Sequence, residues 1–412
     1  MDYNLIVVGG GPAGIMGAAA AAAKGLKVIL LEKNEKLGKK LYITGKGRCN
    51  FTFYGDLDDF LNNITTNKKF LYSAYKSFTN HQLIGLLESL GVKTKVERGS
   101  RVFPQSDKSS DVIKALQKHL QSNNVEVKLE TDVKRIMVKN QQVTGVLLKG
   151  RQISGEKVLI ATGGRSYSQT GSTGDGYRMA QQLGHSVVEP KPALVPLVTG
   201  EKWVKDLQGL SLKNVAAKAV INGKVKAEQF GEMLFTHFGV SGPIILSISS
   251  FLTKESSFPV TLTIDLKPAL SQEQLDARLQ RDFIKYTGRH LKNSLDALLP
   301  QKMIPIIIGL SGLDPHTQVN QLTKKDRGLL VDTLKKISLT VTGTRPLSEA
   351  IVTSGGISVK EINPSTLESK IIKGLYFAGE VIDVDALTGG YNLQIAFSTG
   401  YLSGISSARA DH

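Results

Sequence analysis

The chain has 412 residues, 41% of them hydrophobic and 21% charged, the composition of a globular protein with room for two or three domains. Its single cysteine, Cys49, excludes an internal disulfide and any multi-cysteine metal site, and suits a reducing cytosol. The 52 Lys and Arg against 36 Asp and Glu leave a net charge of +16, which either serves a polyanionic partner, RNA above all, or only aids solubility.

The first element is a strand over residues 4–8, apolar on both faces as a buried parallel strand requires. The stretch 5–23 is long and apolar enough to suggest a membrane span, but six of its nineteen residues are Gly or Pro and no basic region precedes it. Strand–turn–helix is the better reading. The turn is Gly9-Gly10-Gly11-Pro12-Ala13-Gly14, followed by an Ala-rich helix to about Lys24 and a second strand over 27–31 that ends on Glu32. In such a turn Gly9 permits the sharp bend, Gly11 lets a pyrophosphate approach the backbone, and Gly14 lets helix and strand pack closely. Phosphate then rests on free N–H groups at the helix N-terminus. Glu32 lies eighteen residues past Gly14, where an acid accepts ribose hydroxyls and repels a 2′-phosphate. FAD and NAD fit; NADP does not.

Helical periodicity follows over 67–92 and 108–122, and 125–149 reads as a hairpin or meander on the same sheet. Residues 158–164 form another apolar strand running into Ala161-Thr162-Gly163-Gly164. Past Pro190 the texture changes to short alternating runs over 193–265, the pattern of a small β-barrel, then to helices over 271–336 and a last strand over 339–342. The expected division is a discontinuous Rossmann-type FAD-binding domain (1–189 and 346–412), a β-rich insertion (190–270 with 337–345) and a helical subdomain (271–336). Residues 190–345 carry 21 Lys and Arg against 13 Asp and Glu, leaving +8 there.

Near the C-terminus a strand over 374–377 ends in Ala378-Gly379-Glu380, followed by Asp383 and by Gly389-Gly390-Tyr391-Asn392-Leu393-Gln394 at the start of a terminal helix. An extended dinucleotide needs a second carboxylate for its ribityl hydroxyls. It also needs a helix N-terminus at the flavin's pyrimidine edge, where negative charge develops on reduction. The backbone amides of Gly390 through Leu393 are the candidates for that end. The three clusters together select FAD. No second Gly-x-Gly-x-x-Gly follows a strand, so NAD(P)H is expected only as a transient electron donor.

The stretches 38–41, 44–50, 101–104, 161–164, 171–176, 231–237 and 379–394 make the chain resemble the BaiN/RdsA-like flavoproteins, the family that includes aminoacetone oxidase. Two positions depart from that family's pattern, Phe53 in place of Asn and Ser168 in place of Pro. The resemblance implies an FAD-dependent oxidoreductase with further cofactor contacts at Lys33, Gly38, Lys40, Thr44, Gly45, Gly47, Arg48, Asn50 and Val133. It implies no metal and no membrane. Cys49 is either a general acid, activated by Lys46 and Arg48, or a packing residue under the flavin. His237, between aromatics, either relays protons or is a buried histidine bonded to backbone. Arg48 cradles either the pyrophosphate or an anionic substrate. Three functions stand open: reduction of a uracil C5=C6 bond in ribosomal RNA, a small-molecule reaction (amine oxidation or C=C reduction of steroid-like acids), and a non-catalytic flavin module.

Overall fold

The computed structural model describes residues 1–255 and 258–409, and the chain divides into two compact units, Met1–Ala193 with Leu347–His412, and Leu194–Pro346. The first is built on strand β1 (Tyr3–Val8), which pairs in parallel with β2 (Val28–Leu31) on one side and β6 (Gln152–Ile160) on the other. The intervening elements used below are helix α1 (Pro12–Ala22), helix α2 (Lys39–Ile43), helix α3 (Ser109–Ser122), and strands β3 (Glu126–Lys128), β4 (Arg135–Lys139) and β5 (Gln142–Leu147). The sheet runs β3-β2-β1-β6-β5-β4. The expected meander over 125–149 is therefore split. Only β4 and β5 form a hairpin, while β3 joins β2 in parallel at the far edge.

Strand β6 forks. Its first half pairs antiparallel with β5, and its last three residues pair in parallel with β7 (Leu375–Phe377) from the other end of the chain. The C-terminal segment thus enters the same sheet as the first strand. Its helix, α4 (Tyr391–Ser407), packs on α1 through small residues. A methyl group at Gly400 would lie 2.2 Å from the Ala13 carbonyl oxygen, and one at Gly404 2.4 Å from that of Gly17. Alanines and glycines let the two helix backbones approach where larger side chains would hold them apart. Apolar clusters cover the two faces of the sheet, one centred on Ile6, Val158 and Phe377, the other on Leu5, Ile15 and Phe397.

The chain leaves this unit at Ala193 and returns at Leu347. Strand Val187–Ala193 pairs antiparallel with Val352–Ile357, placing Ala193 opposite Val352.

The second unit is a closed six-stranded barrel of strands 197–199, 239–241, 224–236, 211–221, 260–265 and 337–344, in that order round the ring. Alternation predicts these strands but hides helix Pro243–Glu255. Pro243 opens it, and Ile244, Ile245, Ile248 and Leu252 recur at helical spacing and bury in the barrel core. Helices Gln272–Lys285, Met303–Ser311 and Lys324–Lys335 share that core through Leu275, Ile307 and Leu330 rather than building one of their own. Among the described residues no helix is long and apolar enough to cross a membrane.

Candidate cofactor site

The turn after β1 is shaped by backbone contacts. Gly9 has φ +110°, and a methyl group at Gly14 would lie 1.9 Å from the Gly9 carbonyl oxygen, so turn and helix meet backbone to backbone. Gly11 is different. Its conformation is extended, with φ −82°, and a methyl group there would meet nothing within 4 Å. Pro12 occupies the first helical position, where its missing N–H costs nothing. The open space over Gly11 lies at the end of α1, whose first-turn amides have no intrahelical partners. A pyrophosphate fits this cradle.

Glu32, buried at the end of β2, accepts the Gly10 N–H at 2.7 Å and the Asn34 N–H at 2.8 Å. Its carboxylate thereby fixes the turn. Val133 is buried with Ile6 and Val8, two residues past Thr131, whose N–H bonds to the Glu32 carbonyl. Lys33 is an ion-pair partner, 2.6 Å from Asp175 and 2.6 Å from the Thr173 hydroxyl, so its charge is engaged within the protein.

The loop over 44–50 follows α2, which begins after Gly38. Gly45, Lys46, Gly47 and Cys49 are all left-handed, two of them non-glycine residues held where side chains are disfavoured. The Thr44 hydroxyl donates to the Leu41 carbonyl at 2.7 Å. Burial favours the packing reading of Cys49 over the activated one. Cys49 is completely buried, and burial pushes its thiol up to about 12. It therefore carries no thiolate at neutral pH. Arg48 cannot lower it, because its guanidinium pairs with Glu97 and with Asp107, 2.7 Å away, and lies 4.3 Å over the Phe103 ring. Arg48 in turn holds the Glu97 carboxyl below the ordinary carboxylate range, and Lys95 and Arg48 do the same for Asp107. Without a ligand, the Arg48 guanidinium is thus engaged by the protein's own carboxylates.

Two polar atoms beside these loops are buried with no hydrogen-bond partner: Asn50 Oδ1 and Thr162 Oγ1. Burying such an atom unsatisfied costs about 1–3 kcal/mol. Thr162 Oγ1 faces Gly176, where a methyl group would lie 2.2 Å away, whereas Asn50 Oδ1 belongs to the glycine-rich loop itself. Gly9 packs on the Ala161 carbonyl and the Thr162 backbone, and Gly163 completes that turn with φ +71°. The open cradle at Gly11 and the unsatisfied Asn50 Oδ1 fit a dinucleotide cofactor held by residues 9–14, 32, 44–50 and 161–163.

The C-terminal cluster reaches the same place. A methyl group on Gly379 would lie 2.9 Å from the Ala13 side chain. Glu380 accepts from Lys40 at 2.6 Å, from the Ser166 hydroxyl at 3.0 Å and from the Thr353 N–H at 2.8 Å, which ties three distant segments together. A carboxylate offers about four acceptor positions, so these three bonds leave one open. Gly390 begins α4 with φ +99°, and any side chain there would meet the Thr52 carbonyl at 2.3 Å. Tyr391 packs its ring 4.7 Å from Phe53, the Asn392 amide clasps the Ala386 and Leu387 backbone, and Leu393 packs on the apolar cluster under α1. Gln394 is a correction. It is fully buried, with its amide bonded to the Thr52 hydroxyl, the Phe78 carbonyl and the Ser398 hydroxyl, so it holds α4 in place and offers nothing to a ligand.

Sequence reasoning missed Asp385. Its carboxylate is wholly buried and accepts from the Thr65, Thr66 and Ser354 hydroxyls, while the neighbouring Asp383 accepts from Asn67 at 2.9 Å. The Asp-x-Asp spacing at 383–385 was the available signal. His237 lies in the other unit, exposed at the turn before strand Gly239–Ser241, with its ring 4.9 Å from that of Phe238. The buried-histidine reading is thus overturned.

The family described as HI0933-like protein Rossmann domain matches residues 3–406. The chain is 32% identical to the ribosomal RNA dihydrouridine synthase of Escherichia coli, over 97% of this chain and 96% of that one. It is 31% identical to the 3-dehydro-bile acid delta(4,6)-reductase of Clostridium scindens, over 98% of each. Among solved structures, the 3-ketosteroid-delta4-(5alpha)-dehydrogenase of Rhodococcus jostii shares the fold with a TM-score of 0.52 at 14% identity, covering 99% of this chain and 97% of that one.

Proposed function

The chain belongs to the HI0933-like Rossmann family of FAD-dependent oxidoreductases, and from that premise we propose that it reduces the uracil C5=C6 bond of ribosomal RNA to dihydrouridine. The observation that carries the substrate is charge. The chain holds +16, half of it in residues 190–345, where a neutral small molecule has no use for it and a phosphodiester backbone does. The similarity to a named ribosomal RNA dihydrouridine synthase supports the same reading.

Bound FAD supplies hydride through its N5 position. The residues of this chain hold and orient it: the Gly9–Gly14 turn at the pyrophosphate, Glu32 at the ribose, Glu380 at the ribityl chain, and the amides of Gly390 through Leu393 toward the pyrimidine edge. A helix N-terminus stabilises a nearby negative charge by about 0.3–1 kcal/mol at an exposed site and by more in a dry one. A nicotinamide dinucleotide donates electrons transiently, and the setting is the cytosol. Cys49 packs.

Cys49→Ala is expected to leave both flavin reduction and product formation within about twofold, as for a packing residue. A loss of product formation with flavin reduction intact would instead make the thiol a working group.

The substrate itself is tested by mass mapping of ribosomal RNA from a strain lacking the gene. One dihydrouridine is expected to vanish and to return on complementation. An unchanged map would instead favour the second reading, reduction of a C=C bond conjugated to a ketone in a steroid-like acid, for which the 31% identity to a bile acid reductase speaks.

A further inference from the structure

Some basic side chains of the second unit pair with an acid: Lys218 with Glu228, Arg327 with Asp276, Lys335 with Asp265. Others, Lys213 and Lys336 among them, are exposed without a salt bridge among the described residues, and in one stretch such side chains are dense. Arg281, Lys285, Arg289 and Lys292 fall within twelve residues at the end of helix Gln272–Lys285 and just beyond it, and all four are exposed. Among the described residues none of the four forms a salt bridge. The nearby acid, Asp282, is taken by Arg278 at 2.8 Å. Two of the four flank an aromatic ring: the Lys285 ammonium and the Arg289 guanidinium lie 5.6 and 4.9 Å from the centroid of Tyr286. Lys292 reaches His316 at 3.5 Å, whose ring lies 5.7 Å from that of His290, and a bridge between His290 and Gln318 fixes the two segments side by side.

Four like charges gathered without counter-ions repel one another, a cost recovered when a polyanion covers them and sheds its own condensed ions. Arginine suits phosphate oxygens with its planar fork, and a tyrosine among cations adds a face on which a base can stack. We propose that this patch, Arg281–Lys292 with His316, is the surface on which the phosphodiester backbone of a substrate RNA docks. This rests on the ribosomal RNA reading above and adds where the chain is gripped.

The test uses the full-length FAD-loaded protein and an unmodified ribosomal RNA transcript, with binding measured across a salt series. Lys285→Gln/Arg289→Gln removes two contacts. Its affinity is expected to fall about ten- to hundredfold at 0.1 M salt, with the slope of log K against log salt shallower by about 1.4–1.8. Flavin reduction and melting temperature are expected to stay as in the parent, because both side chains are exposed. If the parent itself shows no salt-dependent binding, the RNA reading fails and this inference with it. If the parent binds and the variant matches it in affinity and slope, the patch alone is wrong. A variant that keeps RNA binding but loses binding to vesicles containing phosphatidylserine would reassign the patch, with the exposed Ile284 beside it, to a membrane surface.

Discussion

Gly11→Val is expected to give a folded, colourless protein. The backbone at Gly11 is extended, which valine adopts readily, and a side chain there points into open space rather than into neighbouring atoms. The cofactor-free protein should accordingly keep its stability to within about 1 kcal/mol, the cost of a poorer residue at a helix N-cap. The same volume is where a pyrophosphate must sit against the amides of α1. Two methyl groups in it should weaken FAD binding by more than about a hundredfold, or about 2.7 kcal/mol. The measurements are the flavin absorbance of the purified protein and its melting with and without added FAD. A yellow variant carrying a full complement of FAD would show that the phosphates pass elsewhere.

Gly400→Ala is expected to fail in the opposite manner. Its added methyl would press within 2.2 Å of the Ala13 carbonyl oxygen and 2.9 Å of that residue's Cα, and neither can turn aside as a side chain could. The helices α1 and α4 must separate, at an overpacking cost of about 1–3 kcal/mol. Because Ala13 belongs to the first turn of α1, the shift also displaces the cradle, so the variant should both unfold at lower denaturant and bind FAD more weakly. Denaturant unfolding of the FAD-free protein isolates the packing term. Unchanged midpoint and affinity would mean that the two helices are looser partners than their spacing implies.

Much of this organisation can be read from residue order because the relevant physics is local. The turn at Gly9–Gly14 follows an apolar strand and precedes an Ala-rich helix, and period-two alternation marks the barrel strands. What escapes is what depends on partners far along the chain. Arg48 looks available for a phosphate until Glu97 and Asp107 are found beside it. Cys49 looks reactive among its basic neighbours, yet the left-handed path of its loop turns the thiol into the core, where burial and not neighbouring charge sets its behaviour. Gln394 sits in a glycine-rich motif that points to a ligand, and its amide is consumed by Thr52, Phe78 and Ser398. The fork in β6 is invisible for the same reason: nothing in nine consecutive residues says that their two halves will take different neighbours.

The pairing of Ala193 with Val352 has a consequence for how such a protein arises and can be rebuilt. The barrel and its helices depart from their host at Ala193 and rejoin it a few residues before Val352, its partner on the ladder, so a short turn suffices to reconnect the ends after excision. Such a cut leaves every strand of the nucleotide-binding sheet intact. Guests could be exchanged at the same seam, so relatives with one cofactor scaffold can diverge in what they act upon.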